Sequence, residues 1–382
     1  MTSLERREAR YQRRRAKREA KKREWQEGHG IDDVAALDSL DESADLSAVG
    51  VDWKAPVQRY KMNQLTYVYD THRHLVNGDD IRKGFNCFFI CERGKKRFIQ
   101  SVHFSERVVQ KSLCRNALIP VLTRSLIYDN GASQQGKGTA FARNRLKTHL
   151  MRHIRHHGKD GGILLIDLHD YFGSVDHDKL KAVYRKEFAD DRLLKLTSSF
   201  IDAFDSGIGL GSEVSQISAI AYPNEIDHFI KEKLQIKGYG RFMDDSYLIH
   251  EDIGYLAECL KVIRSMYREY GIELNVKKSR ICDLKHGFKY LKTRYYITDS
   301  GKIIMKPSRD SITRERRKLK KQANLVNKGI MTFKQVRTSY ASWKGSMSDR
   351  NAHRTVQNMD RLFNKLFITE WRTKNGEESS SY

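Results

Sequence analysis

The hydrophobic positions of this chain form no long continuous run; they fall into short packets whose period switches between two and about 3.6. NCFFICERGKKRFIQSVHF, beginning at Asn86, sets two apolar stretches around Glu-Arg-Gly-Lys-Lys and predicts a hairpin. From Ser105, SERVVQKSLCRNALIPVLTRSLI repeats apolar residues at helical spacing, with Ser105 as its cap. GGILLID follows as a short apolar strand with Asp167 at its end. Helical patterns follow Asp176 and Ser215. RSMYREYGIELNVKKSRI then reads as a helix, a stop at Gly271 and a strand carrying Lys278. From Pro307 to about Arg372 the pattern is helical and basic, with Trp343 and Phe363 as core residues.

One packet carries charge where a core is expected. In GYGRFMDDSYLIH, Tyr239, Arg241 and Phe242 lead into a reversal marked by Asp244-Asp245-Ser246, and Tyr247 to Ile249 lead out of it. One Asp at a hairpin turn is ordinary turn chemistry, but two adjacent carboxylates repel. Either the turn is solvated or a cation sits on it. Asp167 is either a helix N-cap or a partner for this hairpin. If its strand lies beside the hairpin, Asp167, Asp244 and Asp245 converge at one sheet end. Such an oxygen-only set suits magnesium, and two ions roughly 3.5–4 Å apart serve phosphoryl transfer.

Charge sharpens the picture. The chain holds 71 Lys+Arg against 48 Asp+Glu, a formal charge of +23, which points to a polyanionic partner. No run approaches the roughly 20 apolar residues of a membrane span, and no signal-peptide core follows the start, so nucleic acid is favoured over membrane. Cys87, Cys91, Cys114, Cys259 and Cys282 form no CxxC pair. They suggest a reduced intracellular protein, with Cys87 and Cys91 as core thiols. The first segment reads as one helix with bases nearly all round, a Thr2/Glu5 capping box, and Gly28 and Gly30 at its end. IDDVAALDSLDESADLSAVGVD has no Lys or Arg and suggests an acidic linker, with the globular part beginning near Trp53. His149, His153, His156 and His157 sit at helical spacing and read as an RNA-facing or solvated surface rather than a metal site.

IDLHDYFGSVDH, GLGSEVSQ, RFMDDSYLI and GIELNVKKSRI occur in the order and rough spacing of the palm motifs of reverse transcriptases. The resemblance covers roughly residues 81–353. It implies an α+β right-hand polymerase fold with an antiparallel palm sheet and a helical thumb, and RNA-directed DNA synthesis with two Mg2+ ions. The implied division is a basic helix or arm (1–30), acidic linker (31–53), fingers (54–160), palm (161–300), thumb (301–372) and disordered tail (373–382). Asp167 matches the first metal-binding aspartate, and Asp244 and Asp245 match the paired aspartates of the Tyr-x-Asp-Asp box, with Phe242 in place of the usual Tyr. Phe172 matches the aromatic gate that excludes a 2′-hydroxyl. Gly211, Ser215 and Gln216 match the loop lining nucleotide and template. Lys278 matches a proton donor to the leaving pyrophosphate. Arg97, with Lys96 assisting, matches the fingers arginine that grips the triphosphate.

The LGSEVSQ form, with Gln216 where many members have Pro, resembles the reverse transcriptases of diversity-generating retroelements, which misincorporate at adenines. That subfamily implies a template RNA, an RNA/DNA duplex, dNTP substrates, a small basic accessory protein, no membrane, and the cytoplasm of a bacterial or phage-infected cell. Defence-associated reverse transcriptases are the rival reading. A non-catalytic RNA-binding protein is the other class, and its signature would be a missing carboxylate.

Overall fold

The computed structural model describes residues 2–92 and 94–369, and every strand in it pairs antiparallel. A two-stranded ribbon joins β1 (Phe85–Glu92) to β2 (Lys95–Val102). The central sheet contains β3 (Gly162–Asp167), β4 (Gly238–Phe242), β5 (Asp245–His250) and β6 (Arg280–Asp283), in the order β4-β5-β3-β6. A third sheet runs β7 (Phe288–Tyr290), β8 (Thr293–Ile297), β9 (Ile303–Pro307).

The packet Gly-Ile-Leu-Leu-Ile lacks alternation because β3 is buried on both faces. Leu164 and Ile166 enter the large core beneath the sheet, whereas Ile163 and Leu165 enter a second core shared with the third sheet. Successive side chains of a strand point to opposite faces, so both faces must be apolar here. β5 does the same, with Leu248 in the first core and Tyr247 and Ile249 in the second. The helix Thr139–His157 closes the second core through Leu146 and Leu150. Helices Arg309–Asn327, Phe333–Gly345 and His353–Asn364 form a separate bundle around Leu319, Trp343 and Phe363. The mixed helices and antiparallel sheets agree with the expected α+β fold class.

The N-terminal part departs from expectation. Helix α1 (Ser3–Gln26) has the Thr2/Glu5 capping box, with Thr2 N donating to Glu5 at 2.8 Å. The acidic segment is not a linker: it folds as α2 (Ile31–Ala35) and α3 (Leu37–Ala48), followed by α4 (Ala55–Met62) and α5 (Gln64–Asn77). Ile31, Val34, Leu40 and Ala44 are buried in the main core, so the packed body begins before Trp53. Its carboxylates meet cations from within the body: Glu42 pairs with Arg115 at 2.6 Å, Asp32 with Arg192 at 2.9 Å, and Asp45 with Lys61. The missing Lys and Arg were supplied from elsewhere in the chain. Residues 370–382, including the expected tail, lie outside the described residues.

The central sheet is pinned by a buried charge pair. Arg241 on β4 is 1% exposed and Asp227, on the helix Asn224–Glu232, is 0% exposed. Arg241 Nε reaches both Asp227 oxygens at 2.9 Å, and Nη2 reaches Oδ2 at 2.7 Å and the Ile220 carbonyl at 2.7 Å. Tyr239 donates its hydroxyl to Asp227 at 2.5 Å. The backbone of Arg241 also bridges Asn130, with Gly131 N donating to its carbonyl at 2.9 Å.

Removing one partner of such a pair leaves an uncompensated buried charge, which costs about 3–5 kcal/mol. Arg241→Met is therefore expected to lower stability to urea by that amount. The Arg241→Met, Asp227→Leu double variant should recover part of it. Equal loss in both variants would mean that packing volume, not charge, governs the site.

Candidate active site

The carboxylates meet because of strand register. Asp167 ends β3 directly opposite Asp245, the first residue of β5. The reversal between β4 and β5 is the two residues Met243 and Asp244, closed by the Phe242–Asp245 pair. Asp245 and Ser246 thus belong to the strand, not to the turn as expected. Met243 sits at φ 55°, in the left-handed region. That conformation costs a non-glycine residue about 1–2 kcal/mol. Arg241 Nη1 reaches the Met243 carbonyl at 3.4 Å from below, so the buried pair also supports the turn. Leu168 N donates to the Asp244 carbonyl at 3.2 Å and ties the two chain segments together past Asp167. No helix starts at Asp167, which settles the N-cap alternative.

A third segment crosses this end of the sheet. Asn275 N donates to the Asp167 carbonyl at 2.8 Å, and Asp167 N donates to Ser279 Oγ at 3.2 Å. Lys278 stands in the turn before β6, not on a strand, and its ammonium bonds both Asp167 oxygens, at 2.7 and 2.6 Å. This pairing raises the lysine above its ordinary pKa. Burial, then Asp244 and Asp167, push Asp245 up to about 7. Burial likewise raises Asp244, with Asp167 adding to it and Lys278 and Arg97 opposing. The site holds more negative charge than its one close ammonium offsets.

The donor set is oxygen only, as a hard divalent cation requires. Among the described residues, however, no three His, Cys, Asp or Glu side chains stand together as a metal-binding group. Asp167 is engaged by Lys278, whose side chain is 53% exposed and free to swing into solvent. Asp167, Asp244 and Asp245 would hold a metal once that ammonium moves aside.

The ribbon reaches toward these carboxylates. Arg97 is exposed on β2, and its charge acts on Asp244. Lys96 instead lies over the Phe89 ring at 4.0 Å. Cys87 and Cys91 are exposed, not core thiols, because among the described residues the strands of the ribbon pair only with each other, which leaves Phe88, Phe89 and Phe98 exposed as well. Gly211 has φ 121°, and a Cβ there would stand 3.0 Å from the Gln100 carbonyl. With Gln100 N donating to the Leu210 carbonyl at 3.1 Å, this glycine seats the foot of the ribbon. Its close neighbour is protein backbone.

Ser212, not Ser215, caps the helix Glu213–Ala221. Ser215 is buried and its hydroxyl has no hydrogen-bond partner among the described residues, whereas Gln216 is exposed. Phe172 is half-buried against the main core, edge-on to Tyr171 at 5.8 Å. Similarly, His103 rather than Ser105 caps the helix Phe104–Leu113.

Sequence reasoning missed the supports. Asp129 binds Arg145 and Lys231, each at 2.6 Å, beside the parallel bridge to Arg241. His149 is buried and bonds the Tyr247 hydroxyl at 3.0 Å, and burial pushes it down to about 4, so it is neutral at pH 7. His153 is buried too, bonded to the Asp160 carbonyl at 2.7 Å; only His156 and His157 are exposed, as expected of all four. Arg241 could have been found from its place in a strand otherwise aimed at a core. Asp129, Asp227 and Ser279 carry no such local signal.

A family model described as reverse transcriptase (RNA-dependent DNA polymerase) matches residues 82–294. No curated protein sequence matches the chain. Among solved structures, apo telomerase from Candida tropicalis truncated from its C-terminal domain matches at 13% identity and TM-score 0.45, over 58% of this chain and 55% of that one. Telomerase from Candida albicans in complex with a TWJ fragment of telomeric RNA matches at 11% identity and TM-score 0.47, over 68% and 55%. This chain spans about half the length of both.

Substituting Gly211 with alanine should strain the loop and loosen the ribbon, at a cost of about 1–3 kcal/mol. Amide hydrogen exchange should quicken across β1 and β2 while the helix Glu213–Ala221 stays protected. Unchanged exchange in the ribbon would show that its foot is held elsewhere.

Proposed function

The chain belongs to the reverse transcriptase (RNA-dependent DNA polymerase) family, and on that premise we propose that it extends a primer on an RNA template with deoxynucleotides. The observation that carries this reading is the register that sets Asp167 against Asp245, with Asp244 in the adjoining turn. Asp167, Asp244 and Asp245 would hold Mg2+, which supplies an activated primer hydroxyl and charge neutralisation at the triphosphate. Lys278, held protonated while it is paired with Asp167, would donate to the leaving pyrophosphate once it releases that carboxylate. Arg97 on the ribbon grips the triphosphate, and Phe172 opposes a 2′-hydroxyl. Gln216, exposed in the first turn of its helix, meets the nucleotide or template, with Gly211 and Ser215 shaping the loop behind it.

Within the family we assign the chain to the mutagenic type found in diversity-generating retroelements, on the strength of LGSEVSQ with Gln216 in place of Pro. A template RNA and a small basic accessory protein are its proposed partners, and the bacterial cytoplasm its place. Exposed cations on the thumb helix, Arg314, Arg316, Arg317, Lys318, Lys320 and Lys321, supply a face for the RNA/DNA duplex. Among the described residues no helix is long and apolar enough to cross a membrane.

The test is the sequence of cDNA made by the purified chain on a defined primed RNA with Mg2+. Product should fall at least about 10²–10³-fold in Asp244→Ala and Asp245→Ala. Errors should cluster opposite template adenines; faithful copying would keep the polymerase and reject the mutagenic type in favour of a defence-associated or other bacterial enzyme. Phe172→Ala should admit ribonucleotides. If it still rejects them, the gate lies elsewhere.

A further inference from the structure

A cavity of about 390 Å³ lies at the base of the ribbon, bounded by α4, the start of α5 and the helix Phe104–Leu113. It shares no residue with the carboxylate site. Its volume is within the roughly 300–1,000 Å³ range of small-molecule pockets. Three features make it more than a surface groove.

First, its charge has one sign. Lys54, Arg59, Lys83 and Arg107 line it, beside His103, whose pKa burial and then Lys83 lower, and no carboxylate lines it. Nearby Glu106 turns instead to Lys83 N at 3.2 Å and Gln110 at 3.3 Å. Among the described residues Lys54, Arg59, Lys83 and Arg107 have no carboxylate ion-pair partner, in a chain where many other cations do. A cleft lined by one sign of charge concentrates counter-ions of the other.

Second, it holds an unfinished aromatic stack. Tyr60 is buried, stacked on Tyr67 at 5.0 Å and edge-on to Phe104 at 5.0 Å. Tyr67 remains 41% exposed. A flat ring can be added to such a ladder without moving it.

Third, Tyr60 is buried in this wall with Thr71 as a hydrogen-bond neighbour of its hydroxyl, and Thr71 gives its own hydroxyl to the Tyr67 carbonyl at 2.7 Å, which ties the two rings together.

We propose that this cavity binds a nucleotide, its base stacked on Tyr67 and its phosphate held by Arg59, Lys83 and Arg107. Stacking on an aromatic with cations along the phosphate path is how single strands are held without sequence preference. The same chemistry is presented by a free nucleotide and by one unit of a strand. The proposal stands independently of polymerase activity.

The experiment uses the full chain in EDTA, which suppresses metal-dependent binding at the carboxylates. One arm measures binding of ATP. The other measures binding of a twelve-nucleotide oligouridylate carrying one 4-thiouridine, with the photocrosslinked peptide identified by mass spectrometry. Crosslinks are expected within residues 51–67 or 101–107. Tyr67→Ala is expected to weaken binding about tenfold, and Arg59→Gln several-fold. Both side chains are exposed, so neither change should unfold the protein. Lys261→Gln, an exposed cation on the helix Ile253–Glu269, controls for net charge and should have little effect. Loss in the ATP arm identifies a free-nucleotide site, and loss in the oligouridylate arm alone identifies a strand site. Crosslinks confined to other segments, equal losses in Lys261→Gln, or no binding in either arm would overturn the proposal.

Discussion

The contact between Arg241 and Asp227 has no solvent on either side, and the candidate active site is built on top of it. Taking a guanidinium and a carboxylate out of water is costly, so such a pair persists only when nearly every donor and acceptor is used. Here the carboxylate takes Arg241 and Tyr239, and the guanidinium also reaches Ile220 and Met243 carbonyls. These contacts join β4, the turn and two helices into one unit. They also fix the height of the turn that places Asp244 beside the end of β3. Asp129 extends the same arrangement, since its backbone accepts from Arg241 N while its side chain gathers Arg145 and Lys231.

Above that foundation the charges are deliberately out of balance. Asp167, Asp244 and Asp245 act on one another at one end of the sheet, with Lys278 bound to Asp167 and Arg97 acting on Asp244 from the ribbon. Like charges in a partly desolvated place raise one another's pKa, and a bound cation relieves the cost. The protein's large positive surplus lies elsewhere, on α1, on the helix Arg309–Asn327 and around the cavity at the ribbon base. Negative charge at this end of the sheet and positive charge around it would guide a polyanion toward the proposed centre.

Several elements were legible because their signals are local. Two apolar stretches around a Gly-containing turn predicted β1 and β2, although nothing in that pattern said whether the ribbon would be covered. It is not, so Cys87 and Cys91 face solvent. The histidine row was legible as a helix, but its burial depended on which face met the central sheet, and that face carries His149 and His153. The acidic stretch misled for a related reason. Its apolar residues, Ile31, Val34, Leu40 and Ala44, have helical spacing, yet its lack of cations suggested a linker until Arg115, Arg192 and Lys61 supplied them from distant segments.

By itself the sequence determined where most strands and helices around the site lie, and which carboxylates are proposed for its chemistry. Short-range periodicity, turn residues and the adjacency of Asp244 and Asp245 are written in consecutive positions. Only the tertiary structure decided that Asp167 faces Asp245, that Lys278 leaves its expected strand to bind Asp167, and that Gly211 admits the ribbon's backbone. It alone selected Asp227 for Arg241. Those choices join residues far apart in the chain, and their energies arise from desolvation and register, which exist only once the strands have paired.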